Sequence, residues 1–175
     1  MERNYCDMAN AVHLGKIKTV AQLDAAAVGI VPTDAQFQTQ FETVRVNVSK
    51  LARYYLRSLE RTAEEQPNPE FVVIEEAAIV NLEHIMPTAP SAEWPNATER
   101  DIESHGNRLG NLLLLQADLN AKIDRHDFDT KKKAYKKSSI QLTSHVASAK
   151  KWGIKQIEDR QKVLAAYAVK TWKIA

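Results

Sequence analysis

Two short apolar runs separated by a long polar stretch most constrain this chain. The first occupies residues 81–87, Asn-Leu-Glu-His-Ile-Met-Pro, and Pro87 closes it. The second occupies residues 109–120, opening Leu-Gly-Asn and passing through consecutive leucines into Ala117-Asp118-Leu119-Asn120, where the character becomes helical. Both have strand length, so the expected order is strand, long loop, strand, helix. Successive side chains on a strand point to opposite faces, so Glu83 and His84 share one small site only if the backbone bends there. The loop, residues 88–108, is rich in Pro, Ser, Asn and charge, and Trp94 is its one large anchor. Its length suggests a surface excursion pinned by that tryptophan. His105, alone in this loop, reads as a solvated histidine.

Such a unit suits metal-assisted cleavage of a phosphodiester. A hard divalent cation prefers oxygen donors, which a Glu carboxylate and an Asn carbonyl supply. An imidazole beside it takes a proton from an attacking water near neutral pH.

The rest of the chain reads as helical support. A short helix is expected in residues 1–18, and Thr19 offers a cap for a second one that stops near Gly29. Thr33 and Asp34 offer a third start, with Phe37, Phe41 and Val44 behind it. The strongest helix of the first half begins near Asn47 or Ser49, with Leu51, Tyr54, Tyr55 and Leu59 as its apolar stripe and Lys50, Arg53, Arg57 and Arg61 largely opposite. It ends in Gln66-Pro67-Asn68-Pro69. Residues 71–74 are β-rich and lead into Glu75-Glu76, and both strand and lead-in remain open. Downstream, helices are expected over 128–137, 143–152 and 154–172, with Gly153 between the last two.

The 175 residues suffice for one domain with a core. A lone Cys6 excludes an internal disulfide and suits a reducing, cytoplasmic setting, and no run is long and apolar enough to span a bilayer. Basic residues gather after Ala121, as on a polyanion-binding face or a solvated helix surface.

The pattern Glu83-His84-Ile85-x-Pro87, then Leu109-Gly110-Asn111-Leu112, then Asn120, resembles the HNH (ββα-metal) nuclease motif. More narrowly it is similar to the C-terminal HNH domain of GmrSD-type modification-dependent restriction enzymes. The likeness continues through Phe128, Lys131, Tyr135, Ser138, Trp152, Ile157, Arg160, Leu164 and Trp172, and covers the first third only loosely.

That resemblance implies an α+β fold, predominantly α-helical with an embedded ββα-metal unit. It implies a helical lead-in over residues 1–70 and the nuclease unit over 71–175, the whole being the C-terminal part of a longer protein. It implies His84 as general base, Asn111 as a second catalytic-site residue that braces the loop, and Glu83, Asn120 and Asp118 as ligands of Mg²⁺ or Mn²⁺. Asp118 equally suits the start of a helix. His126 rivals Asn120 as a ligand. Lys122 and Lys131 would contact DNA phosphates. The implied activity is hydrolysis of double-stranded DNA, with an NTP-hydrolysing sensor domain upstream as partner and no membrane. The alternative is an inactive HNH-like domain that binds DNA or protein.

Overall fold

The computed structural model describes residues 2–65 and 73–173. Among them are nine helices and one antiparallel two-stranded sheet, so the fold is α+β and mainly helical. The helices are α1 (Glu2–His13), α2 (Val20–Ala27), α3 (Asp34–Phe41), α4 (Ser49–Ala63), α5 (Glu99–His105), α6 (Ala117–Ile123), α7 (Phe128–Tyr135), α8 (Gln141–Ser144) and α9 (Ile154–Thr171). The strands are β1 (Val80–His84) and β2 (Leu112–Gln116), each at one of the two apolar runs. The Pro-Asn-Pro breaker and Phe71-Val72 lie outside the described residues.

The chain divides into two compact units, residues 1–37 and 38–175, so the expected boundary at 70 falls inside the second. In the first, no residue of α1 or α2 is buried, and Thr19 caps α2 by accepting from the Gln22 N–H at 3.2 Å.

The second unit is built around the ribbon of β1 and β2. Its register pairs Asn81 with Leu115, Glu83 with Leu113 and His84 with Leu112. Leu113 and Leu115 join Ile85, Met86, Trp94, Phe128, Tyr135 and Ile157 in the core. A ribbon of only two strands leaves each strand with one unpaired edge, and inside a helical shell its carbonyls need other donors. Side chains from five elements supply them. On β1, Val80 O accepts from Arg53 Nη1, Leu82 O from Asn120 Nδ2 at 3.4 Å, and His84 O from Lys131 Nζ at 2.8 Å. On β2, Leu112 O accepts from Arg160 Nη1 at 2.7 Å and Leu114 O from Thr143 Oγ1 at 2.6 Å.

The structure departs from expectation at three places. Helix α4 buries Ala52, Arg53, Leu56, Leu59, Glu60 and Ala63, whereas Leu51 and Tyr54 of the expected stripe are exposed. Arg53 turns inward to reach Val80 O and Glu75 O, and Glu60 turns inward to accept the N–H groups of Gln141 and Leu142 at the start of α8. Burial lowers the Arg53 pKa and raises that of Glu60. Next, the helix expected over 143–152 is a single α turn followed by a 3₁₀ turn, His145–Ser148. Ser144 and Ser148 donate their hydroxyls to the local carbonyls of Gln141 and His145, which competes with a continuing helix, while Thr143 donates to Leu114 O on β2. Third, the long loop contains α5, started at its N-terminus by a capping box between Thr98 and Asp101.

Helix α9 locks the turn before β2. Gln161 Oε1 accepts the Gly110 N–H while its Nε2 donates to Phe41 O at 2.7 Å, and Arg160 also reaches Gly110 O at 2.8 Å. Burial lowers the Arg160 pKa to about 10. A Cβ at Gly110 would stand 2.2 Å from Ile157 O, a backbone atom that cannot swing aside. Gly110→Ala is therefore expected to destabilise the second unit by about 3 kcal/mol, read from urea unfolding. A loss below about 0.5 kcal/mol would show that the turn yields freely.

Candidate active site

Because β1 pairs with β2 residue by residue through His84, the strand does not bend between Glu83 and His84. Their side chains consequently leave opposite faces of the ribbon. Glu83 goes inward and is 7 % exposed. Its Oε1 accepts from Lys131 Nζ at 2.6 Å and from Tyr135 Oη at 3.0 Å. With two donors on one oxygen, the geometry is that of a carboxylate. Burial raises the Glu83 pKa, opposed by the Lys131 ammonium and the tyrosine hydroxyl. Tyr135 is pushed well above its ordinary value, first by burial and then by the Glu83 charge.

His84 is half-buried on the other face. Its Nε2 lies 3.2 Å from Asn107 Oδ1. Burial lowers its pKa, the Asn107 hydrogen bond works against that, and the nearby Lys131 charge adds to it. A neutral imidazole is thus favoured, the form a general base needs. Asn107 was not singled out by sequence, since nothing but the Gly106-Asn107 pair ahead of the second run marks it.

Asn111 is fully buried and all four hydrogen-bonding positions of its amide are filled. Oδ1 accepts from Met86 N at 2.8 Å and Trp152 Nε1 at 3.2 Å; Nδ2 donates to Met86 O at 2.8 Å and Gly106 O at 2.9 Å. It ties the chain just past His84 to the turn before β2, and that turn to α9's approach.

The other expected residues are dispersed. Asn120 Nδ2 donates to Asn81 Oδ1 at 2.6 Å, on the face opposite His84. Asp118 and Lys122 are exposed on α6, Asp118 in its first turn. His126 is exposed, and its carbonyl receives the Trp94 indole N–H at 2.9 Å, which pins the loop as expected. Lys131, expected at a phosphate-contacting surface, is 1 % exposed, its ammonium held within the protein. His105, expected in solvent, is buried on α5, with Nδ1 2.7 Å from Ser104 Oγ and Nε2 3.5 Å from Glu158 Oε1.

The donor set does not fit a divalent cation in this arrangement. The Glu83 carboxylate already faces an ammonium, which would repel a second cation, and among the described residues no three His, Cys, Asp or Glu side chains gather as a metal group. What the arrangement offers chemically is one neutral, hydrogen-bonded imidazole at the end of a braced strand.

The family model described as "GmrSD restriction endonucleases, C-terminal domain" matches residues 31–167, more than half of the chain. No curated protein matches. Among the described residues no helix is long and apolar enough to cross a membrane.

Asn111→Ala removes partners from Met86 N–H and C=O, Gly106 C=O and the Trp152 indole at once. It is expected to lower unfolding free energy by about 3 kcal/mol or more, measured in denaturant. A cost near zero would mean that water replaces the amide without loss.

Proposed function

The chain belongs to the family of GmrSD restriction endonuclease C-terminal domains, and from that premise we propose that it is an HNH-type endonuclease domain hydrolysing DNA phosphodiesters, with His84 as its general base. The observation that carries this reading is the state of His84: an imidazole whose pKa burial lowers, oriented by Asn107, at the end of a strand whose exit Asn111 clamps. In this role His84 accepts the proton of a water attacking phosphorus, and Asn107 sets the ring's orientation. Glu83 lies across the ribbon and does not assist through direct contact. Lys122, exposed on α6, and the exposed lysines at 133, 136 and 137 after it would hold the DNA backbone without reading its sequence. A parent protein with an NTP-hydrolysing sensor domain upstream would supply recognition of modified DNA.

The Glu83–Lys131 pair also favours a second reading, an HNH-like domain that binds DNA without cutting it, because it takes the expected cation ligand out of use. The two readings separate on one experiment. Supercoiled plasmid incubated with the wild-type domain and Mg²⁺ or Mn²⁺ should be nicked or cut, and His84→Ala should slow this by about a hundred- to ten-thousand-fold. Equal cleavage by the variant would remove His84 as the base. DNA retardation without cleavage would favour the binding domain.

The acid limb of kcat/KM offers a further check. The base works only when unprotonated, and burial holds its pKa below the ordinary 6.5, so the neutral form persists further into acid. The limb should fall below pH 6.5; a limb at or above that value would contradict the assignment.

A further inference from the structure

Lys131 is sealed inside the protein, and all three of its N–H donors have an acceptor. The acceptors come from three successive residues. Nζ meets Glu83 Oε1 at 2.6 Å, His84 O at 2.8 Å and Ile85 O at 3.2 Å. The ladder between β1 and β2 ends at His84, and Ile85 keeps one further bond by donating to Asn111 O at 2.9 Å. The carbonyls of His84 and Ile85 therefore leave the sheet where no third strand awaits them, and the ammonium takes both. Its own anchor is firm: α7 is capped by Asp127, which accepts from Thr130 N at 2.9 Å and Thr130 Oγ1 at 3.1 Å, and Phe128 and Tyr135 are buried on either side. The Trp94 ring centroid lies 5.9 Å from Nζ and closes the remaining side.

We infer that Lys131 is the positioning residue for His84: its ammonium occupies the place beside Glu83 that the sequence pattern assigns to a divalent cation, and it fixes the strand end from which the imidazole projects. Asn107 holds the ring from one face, and Lys131 holds the backbone from the other. A displacement of the order of 1 Å at a general base is enough to cost about a hundred-fold in rate, so the arrangement reaches the chemistry although Lys131 touches neither water nor phosphate. This consequence for rate rests on the nuclease reading; the placement of the cation does not.

The test uses the double variant Glu83→Leu/Lys131→Met, because a buried ion pair is often exchanged for apolar side chains of similar volume without loss of stability. The expected result is a folded protein in which the His84 imidazole resonances, assigned by ¹H–¹⁵N correlation, broaden or split, while kcat falls about a hundred-fold and KM stays within about two-fold of wild type. Wild-type imidazole resonances and wild-type kcat in the folded double variant would overturn the inference. A second measurement stands apart from folding of that variant and from activity. Mn²⁺ titrated into wild type and Glu83→Gln, followed by water-proton relaxation, should give the same affinity, or no binding, for both. A ten-fold or greater loss of Mn²⁺ affinity in Glu83→Gln would show that Glu83 holds a metal and that Lys131 does not take its place. If wild type leaves plasmid intact, the nuclease reading fails, and the imidazole spectra and the Mn²⁺ titration still decide the role of Lys131.

Discussion

A two-stranded ribbon buried under helices cannot satisfy its own outer edges, and that need organises the second unit. Backbone carbonyls carry partial negative charge and are costly to bury unmatched. The chain answers with long cationic or amide side chains sent in from the shell: Arg53 from α4, Asn120 from α6, Lys131 from α7 and Arg160 from α9, with the Thr143 hydroxyl from α8. Each of these residues is polar where an amphipathic reading expects polarity to mean solvent. Their burial is tolerated because each reaches at least one main-chain acceptor, which no side-chain substitution elsewhere removes, and Asn120 and Lys131 each reach a side-chain acceptor as well. The helices are held to the ribbon by directional bonds as well as by apolar contact.

The same ribbon separates the two residues that adjoin in sequence. Strict alternation sends Glu83 into the core, where an ammonium and a phenol meet it, and sends His84 to the half-exposed face, where an amide meets it. Two titratable neighbours thereby sit in environments that act in opposite senses, burial raising one pKa and lowering the other. Burial favours the uncharged imidazole on one side of the strand, while Glu83 and Lys131 pair with each other on the other.

Much of this was readable beforehand where local chemistry decides. The two strands, the Thr19 cap, the start of α4 at Ser49, the Trp94 pin and the helical character after Ala117 follow from period, caps and breakers, which act over a few residues. Strand alternation alone requires a bend for Glu83 and His84 to meet, and the unbroken register shows that the strand has none. What could not be read is the set of polar groups drawn inward by distant partners. Arg53 and Glu60 turn α4 so that Leu51 and Tyr54 face out, because carbonyls 22 and 27 residues ahead and N–H groups 81 and 82 residues ahead require them. Lys131 looks like any lysine of a basic helix; its partners lie 46 to 48 residues behind it. His105 looks like a loop residue until the Thr98 box places it on a helix turned toward Glu158.

The separation between ribbon and edge donors bears on how the chain matures. Both strands have left the ribosome once residue 116 has emerged, yet Lys131, Thr143 and Arg160 arrive later in synthesis, and Arg160 last. At roughly 5–20 residues per second, Arg160 follows residue 116 by some seconds, and unmatched strand edges are sites at which other strands can pair. A chain that stops ahead of α9 would lack the Arg160 donor to Leu112 O and so leave that part of the β2 edge unmatched.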